Sequence, residues 1–302
     1  MRVDDADRGP VDAAHGGPVE IAAGTPRASE VMARAAGENF PVASFALPRR
    51  ARAHLLAIYG FARLVDELGD TIAGDRLAAL DALEVELDAA FAGAATSPLM
   101  RALTPTLRAC ALPREPFARL IDANRVDQAV HRYETWEQLQ GYCALSANPV
   151  GELVLRVLGL ASERRIALSD RICTALQLVE HCQDVGEDYA SGRVYLPAEE
   201  LRARGCQERE CGQAVAGAPL RAVLALQMRR ARGLLAEGLP LIDSLQGRPR
   251  LAVAAYAAGG LAAVQAIEAA DCDVLAAAVQ ASRGQRLVAL ARVLCGRLGR
   301  PA

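Results

Sequence analysis

Aromatic residues are scarce in this chain, at 4% of 302 residues, so those that fall beside charged motifs stand out even though core packing is the ordinary role of each. A basic surplus is also missing: 34 Lys and Arg stand against 36 Asp and Glu, for a formal charge of -2. That balance speaks against nucleic acid as a partner. The eight cysteines (110, 143, 173, 182, 206, 211, 272 and 295) contain no CxxC, and the four histidines do not join them at zinc-ligand spacing. Isolated thiols of this kind suit a reducing, cytoplasmic setting. No uncharged run reaches the length of a membrane span. The longest, Leu251 to Ile267 ("LAVAAYAAGGLAAVQAI"), falls just short, and its Ala and Gly content predicts a closely packed, buried helix. Peripheral contact with the inner membrane stays open, because an apolar substrate can be collected at a bilayer surface.

Residues 1–27 are rich in Asp, Gly, Pro and Ala and lack the apolar core and basic start of a secretion signal. Such a composition predicts a disordered tail. From residue 28 to 302, neither an internal linker nor a repeat of fixed period interrupts the pattern, which predicts a single domain. With 52% hydrophobic residues it has ample material for a core.

Strand-like alternation is likewise absent. Helical apolar spacing recurs over about 49–70, 75–92, 98–111, 114–131, 135–145, 149–159, 163–190, 218–245, 249–267 and 284–298. Ser97 with Pro98, Thr135 with Gln138, and Asn148 with Pro149 have the chemistry of helix starts. Gly74, Gly93, Gly159 and Gly247 mark stops or turns. The expected fold is an all-α bundle.

Charge is concentrated at two helix ends. In "QDVGEDYASGRVYLP" (183–197), Asp184 and Asp188 are four apart and share a helical face, with Glu187 on the flank. Taken alone, this pair reads as a solvated helix end. Two features argue otherwise. The preceding "ICTALQLVEHC" is strongly apolar, and "IYGFARLVDELGD" repeats the spacing far upstream with Asp66 and Asp70. Carboxylates converging across a bundle core need a cation to offset repulsion and desolvation. Oxygen ligands suit a hard ion, and Mg²⁺ takes a few carboxylates while completing its shell with water and substrate phosphate. A phosphorylated substrate is therefore expected. Arg63, three residues before Asp66, and Arg193, in the extended-looking "GRVYLP", supply guanidinium forks for phosphate oxygens.

The pairing of "YGFARLVDELGD" with "QLVEHCQDVGEDYASGRVYLP" resembles the squalene/phytoene synthase family, whose two aspartate-rich motifs bind Mg²⁺ and diphosphate around the central cavity of an isoprenoid-synthase-type bundle. "GENFPVASFALPRR" (37–50) and "CALSANPVGELVLRVLG" (143–159) are similar to the branch found in bacterial hopanoid biosynthesis. That resemblance implies conversion of presqualene diphosphate to hydroxysqualene, with diphosphate released and water capturing the cation. It implies catalytic roles for Asp66, Asp70, Asp184 and Asp188, for Gln177 as a polar group of the second motif, and for Tyr59, one helical turn further in than Arg63. Arg63, Arg193, Asn39 and Tyr195 are implied to contact diphosphate or close the site, and Tyr133 more weakly so. Glu180 stands where the family usually has an Asn that helps hold a metal, so the implied metal set is Asp66, Asp70, Glu180, Asp184 and Asp188, with an additional negative charge. Glu67 replaces a frequent Asp.

Alternatives remain within and outside the family. The same acids serve head-to-head condensation of two prenyl diphosphates such as farnesyl diphosphate, to squalene or phytoene. A reductive squalene synthase would add NADPH, for which no glycine-rich fingerprint is present. A non-catalytic helical assembly factor is the reading from a different class. Other enzymes of the same pathway are candidate partners in the enzymatic reading.

Overall fold

A computed structural model describes residues 47–296. Asn39, Phe40, Phe45 and the expected tail lie outside the described residues. The described residues form helices joined by short turns, with one isolated parallel bridge between Arg132 and Val194. The all-α expectation holds.

In chain order the helices are α1 (Arg49–Asp70), α2 (Arg76–Ala92), α3 (Pro98–Ala109), α4 (Glu115–Asp127), α5 (Trp136–Ser146), α6 (Asn148–Val157) and α7 (Glu163–Gln183). There follow α8 (Val185–Ala190), α9 (Ala198–Ala203), a 3-10 turn (Glu208–Gly212), α10 (Ala218–Gly238), α11 (Pro240–Asp243), α12 (Gly247–Ala269) and α13 (Arg283–Leu294). Their starts follow local chemistry. Asp75 accepts from the Ala78 amide, Ser97 from Met100, Thr135 from Gln138 and Ser162 from Arg165. Each such cap satisfies an otherwise orphaned N–H.

Several boundaries differ from the sequence reading. The expected 163–190 helix breaks at Asp184, whose φ of -96° and ψ of 9° end α7. The i,i+4 bond from the Asp188 amide to the Asp184 carbonyl (2.8 Å) nevertheless bridges the break, so the acid spacing survives. The expected 218–245 helix is interrupted before Pro240, which has no amide to continue the ladder. The 114–131 segment stops at Asp127. Asn148 does not cap its helix: its Oδ1 accepts from the Thr174 hydroxyl (3.0 Å), pinning α6 to α7. Gln138 reaches back to the amide of Glu134 (2.8 Å), one residue upstream of the expected box partner.

Two apolar clusters form the interior. One is built on α1 to α4, where Phe61 meets Phe117 edge-on at 5.1 Å. The other gathers α5, α7, α10 and α12. Each Leu or Phe fully withdrawn from water there contributes about 1.5–3 kcal/mol. The Ala- and Gly-rich run proves to be the buried α12, as expected. Gly260 is what permits its close approach to α7, since a Cβ there would lie 2.4 Å from a Leu176 methyl.

Candidate active site

The C-terminal ends of α1 and α7 meet at a polar chamber of about 330 Å³ between the two clusters. Asp66 and Asp70 line it from α1; Gln177 and Glu180 from α7; Asp184 from the break between α7 and α8; and Asp188 from α8. Both expected acid pairs therefore face one space. Gly69, between the first pair, allows this: a Cβ there would sit 2.0 Å from Asn124 Oδ1, so only glycine lets the last turn of α1 press against α4. Gln128 fastens that turn by donating to the Gly69 carbonyl (3.0 Å).

The extended segment after α8 supplies the cation. Gly192, at φ +82°, turns the chain back, and the Val194 amide then bonds the His131 carbonyl (3.0 Å) while Ala198 bonds that of Tyr133 (2.9 Å). Held in this way, Arg193 donates to Asp70 Oδ1 at 2.8 Å and so links the second motif to the first. Burial works against its charge, yet the hydrogen bond to Asp70 and neighbouring negative groups raise its pKa above the usual guanidinium value.

One arginine does not balance the acids. Burial, and then the charge of Asp184, push Asp188 up to about 7, with Arg193 opposing. Asp184 is raised by burial and by Glu187. Both helices also direct their negative dipole ends at the chamber. Among the described residues no three acid, imidazole or thiol groups converge tightly enough to cage an ion by themselves. The donors instead fit a hard divalent cation that takes one or two carboxylates and fills the rest of its shell with water and phosphate oxygens.

Five polar wall residues went unnoticed in the sequence: Asn124, Asp127, Tyr142, Ser146 and His181. Asp127 accepts from the hydroxyls of Tyr142 (2.7 Å) and Tyr195 (3.2 Å), and burial raises its pKa despite those bonds. His181 stacks on Tyr195 with centroids 3.9 Å apart, and its Nε2 lies 3.3 Å from Gln177 Nε2. Burial depresses it to about 3, so it brings no positive charge at neutral pH. The one available signal was polar residues on the apolar helix "LIDANRVDQAV"; Tyr142 and His181 read as ordinary core.

Other expectations fall short of the chamber. Arg63 holds Nη1 at 3.9 Å from Asp66 Oδ2 but lines neither the polar chamber nor the cavity beside it. Tyr59 is buried on α1 off both walls, because seven residues of helix set it about 10 Å along the axis from Asp66. Tyr133 is likewise buried off the walls, 5.8 Å from the Tyr195 ring.

A second cavity, of about 230 Å³, adjoins the first between α6, α7 and α12. Val150, Val154, Leu155, Ile172, Leu176 and Val253 give it an apolar wall. Ser146, Gln177 and Glu180 line both spaces and mark the boundary between them. An anionic head and a hydrocarbon tail would each find matching surroundings.

Comparisons with known proteins point to one family. A sequence profile described as squalene/phytoene synthase matches residues 33–286. The hydroxysqualene synthase of Rhodopseudomonas palustris is 37% identical over 214 residues, 69% of this chain and 72% of that protein. The phytoene synthase of Mycobacterium tuberculosis is 31% identical over 234 residues, 76% of this chain and 77% of its own length. Among solved structures, squalene synthase HpnC from Alicyclobacillus acidocaldarius superposes with a TM-score of 0.75 at 45% identity, covering 81% of this chain and 94% of that one.

Proposed function

The chain belongs to the squalene/phytoene synthase family of enzymes, and from that premise we propose that it converts presqualene diphosphate to hydroxysqualene in a Mg²⁺-dependent reaction. The observation that carries this reading is the acid-lined chamber opening onto an apolar one, with three polar residues at the boundary. Hydroxysqualene synthases at 35% and 37% identity support it.

The diphosphate end belongs in the polar chamber. Asp66, Asp70, Asp184 and Asp188, with Glu180, would hold Mg²⁺ there, and the metal would supply Lewis-acid stabilisation of charge building on the leaving diphosphate. Arg193 adds a fixed positive fork on the same side, stronger in effect as the carbon–oxygen bond breaks. The apolar wall keeps bulk water from the cation, while the stacked rings of Tyr195 and His181 form part of the wall of the polar space. Gln177, on the boundary, offers an amide to the water that ends the reaction.

The test uses purified protein, presqualene diphosphate, Mg²⁺ and ¹⁸O-water without NADPH. Labelled hydroxysqualene is expected, with turnover lost in EDTA. Squalene formed only with NADPH, or phytoene from geranylgeranyl diphosphate, would instead establish the condensing reading, which the phytoene synthase relatives favour. No lipid product from folded protein would return the assembly-factor reading.

A further inference from the structure

Helix α13 is apolar on two faces. Ala289 and Val293 are buried, with Leu290 and Leu294 half-buried beside them, where the helix packs along α12. The opposite face carries Gly284, Leu287, Val288 and Ala291, with Cys295 just past the helix end, at the i, i+3, i+4, i+7 and i+11 positions of one stripe, and all five are exposed. Leu287 is 67% exposed and Val288 52%. A helix apolar all round is ordinarily buried, so a second stripe left in water points to something that covers it. The surrounding charge is of one sign. Beyond Asp273 the sequence holds Arg283, Arg286, Arg292, Arg297 and Arg300 and no Asp or Glu, in a chain whose overall charge is -2. Arg283 and Arg292 are exposed on α13 itself. Arg250, at the start of α12, donates to the Leu294 carbonyl (3.3 Å) and so adds its charge beside the end of α13, offset in part by Asp243 at 3.9 Å.

We infer that this face docks on an anionic lipid bilayer, with Leu287 and Val288 entering the acyl boundary and the flanking arginines meeting headgroup phosphates. A second copy of the chain fits less well, because a two-fold pairing of the stripe sets the arginines of one copy against those of the other. A protein partner fits less well too. The stripe holds small and aliphatic side chains and no aromatic ring, whereas protein interfaces are anchored by Trp, Tyr and Arg in well-packed pockets. Val253 and Tyr256 of α12 line the apolar cavity, so docking through α13 sets the bilayer about one helix thickness, roughly 10 Å, from that cavity. Docking of this kind does not depend on which reaction the cavity serves.

The experiment measures flotation of the purified full chain with vesicles of phosphatidylcholine alone and of equal parts phosphatidylcholine and phosphatidylglycerol. The parent is compared with a Leu287→Ser, Val288→Ser pair and with an Arg283→Gln, Arg292→Gln pair. All four positions are exposed, so circular dichroism should match the parent in both. The parent should bind the anionic vesicles about tenfold or more tightly than the neutral ones, with the advantage shrinking as salt is raised. Each pair should weaken binding to the anionic vesicles about tenfold or more, the serine pair by removing apolar burial and the glutamine pair by removing two charges. Equal binding to both kinds of vesicle, no binding to the anionic ones, or binding that neither pair reduces overturns the inference. A parent dimer in analytical ultracentrifugation that the serine pair dissociates, with no vesicle binding, overturns it in favour of a second copy on this face.

Discussion

Arg193 ties the two acidic motifs together, its fork on Asp70 and its own amide on the Asp188 carbonyl (2.8 Å). Lysine keeps the charge but not the planar geometry, so Arg193→Lys should lower kcat/KM about tenfold and Arg193→Ala about a hundredfold or more. Steady-state kinetics that match the parent in both variants would make the contact structural only. A second expectation at this scale concerns pH. His181 titrates near 6.5 when unfolded and about 3 when buried, so its contribution is intact above pH 6.5 and is lost as pH falls toward 3. Asp188, raised to about 7, has the opposite sign: its contribution is full below about pH 4 and is lost as pH rises through 7. The two offset one another in the parent and separate in variants. In urea denaturation with EDTA, the difference between His181→Gln and parent should move in the variant's favour by about 2 kcal/mol from pH 6.5 to 5. Asp188→Asn should exceed the parent at pH 8 by about 1–2 kcal/mol, allowing for partial solvent screening. Pairs that keep a constant difference across pH would assign the titrations elsewhere.

Between elements, the contact of greatest consequence is that of α1 with α4 at Gly69. Gly69→Ala places a methyl 2.0 Å from Asn124 Oδ1 and 3.2 Å from Asn124 Cβ, so the helix end must shift. Overpacking of this kind costs about 1–3 kcal/mol, and because Asp70 is the next residue, activity should fall with it. Melting temperature and turnover measured on Gly69→Ala, with Asn124→Ala to relieve the contact, check this; full activity in the single variant would mean the turn yields freely. Helix identity and the two acid pairs were legible from sequence, because apolar period and i,i+4 spacing are local. The break at Asp184 was not, since hydrogen bonding continues across it and the apolar rhythm does not change. Pro240 was a readable stop that the surrounding apolar residues masked. Asn124, Asp127, Tyr142 and His181 come from three helices, α4, α5 and α7, and only their packing makes them neighbours. Tyr59 shows the converse: a correct motif neighbourhood, but too far along its helix to reach the chamber.

At the scale of the whole molecule, the chamber lies where two separately packed interiors adjoin. The first acid pair is carried by α1 of one cluster, the second by the break after α7 and by α8, on the side of the other. On the proposed reading, diphosphate with Mg²⁺ would act as a clasp as well as a reactant, since it would attach to both sides at once. At 100 times its dissociation constant such a ligand adds about 2.7 kcal/mol, or roughly 5–10 °C for a chain of this size. Thermal melts with Mg²⁺ and inorganic diphosphate should show that rise in the parent and lose most of it in Asp70→Asn and in Asp188→Asn alike; a rise that survives in either variant would mean attachment to one side only. On that reading the group whose bond is cleaved is also the group that fastens the two halves, so its departure would loosen the seam between them.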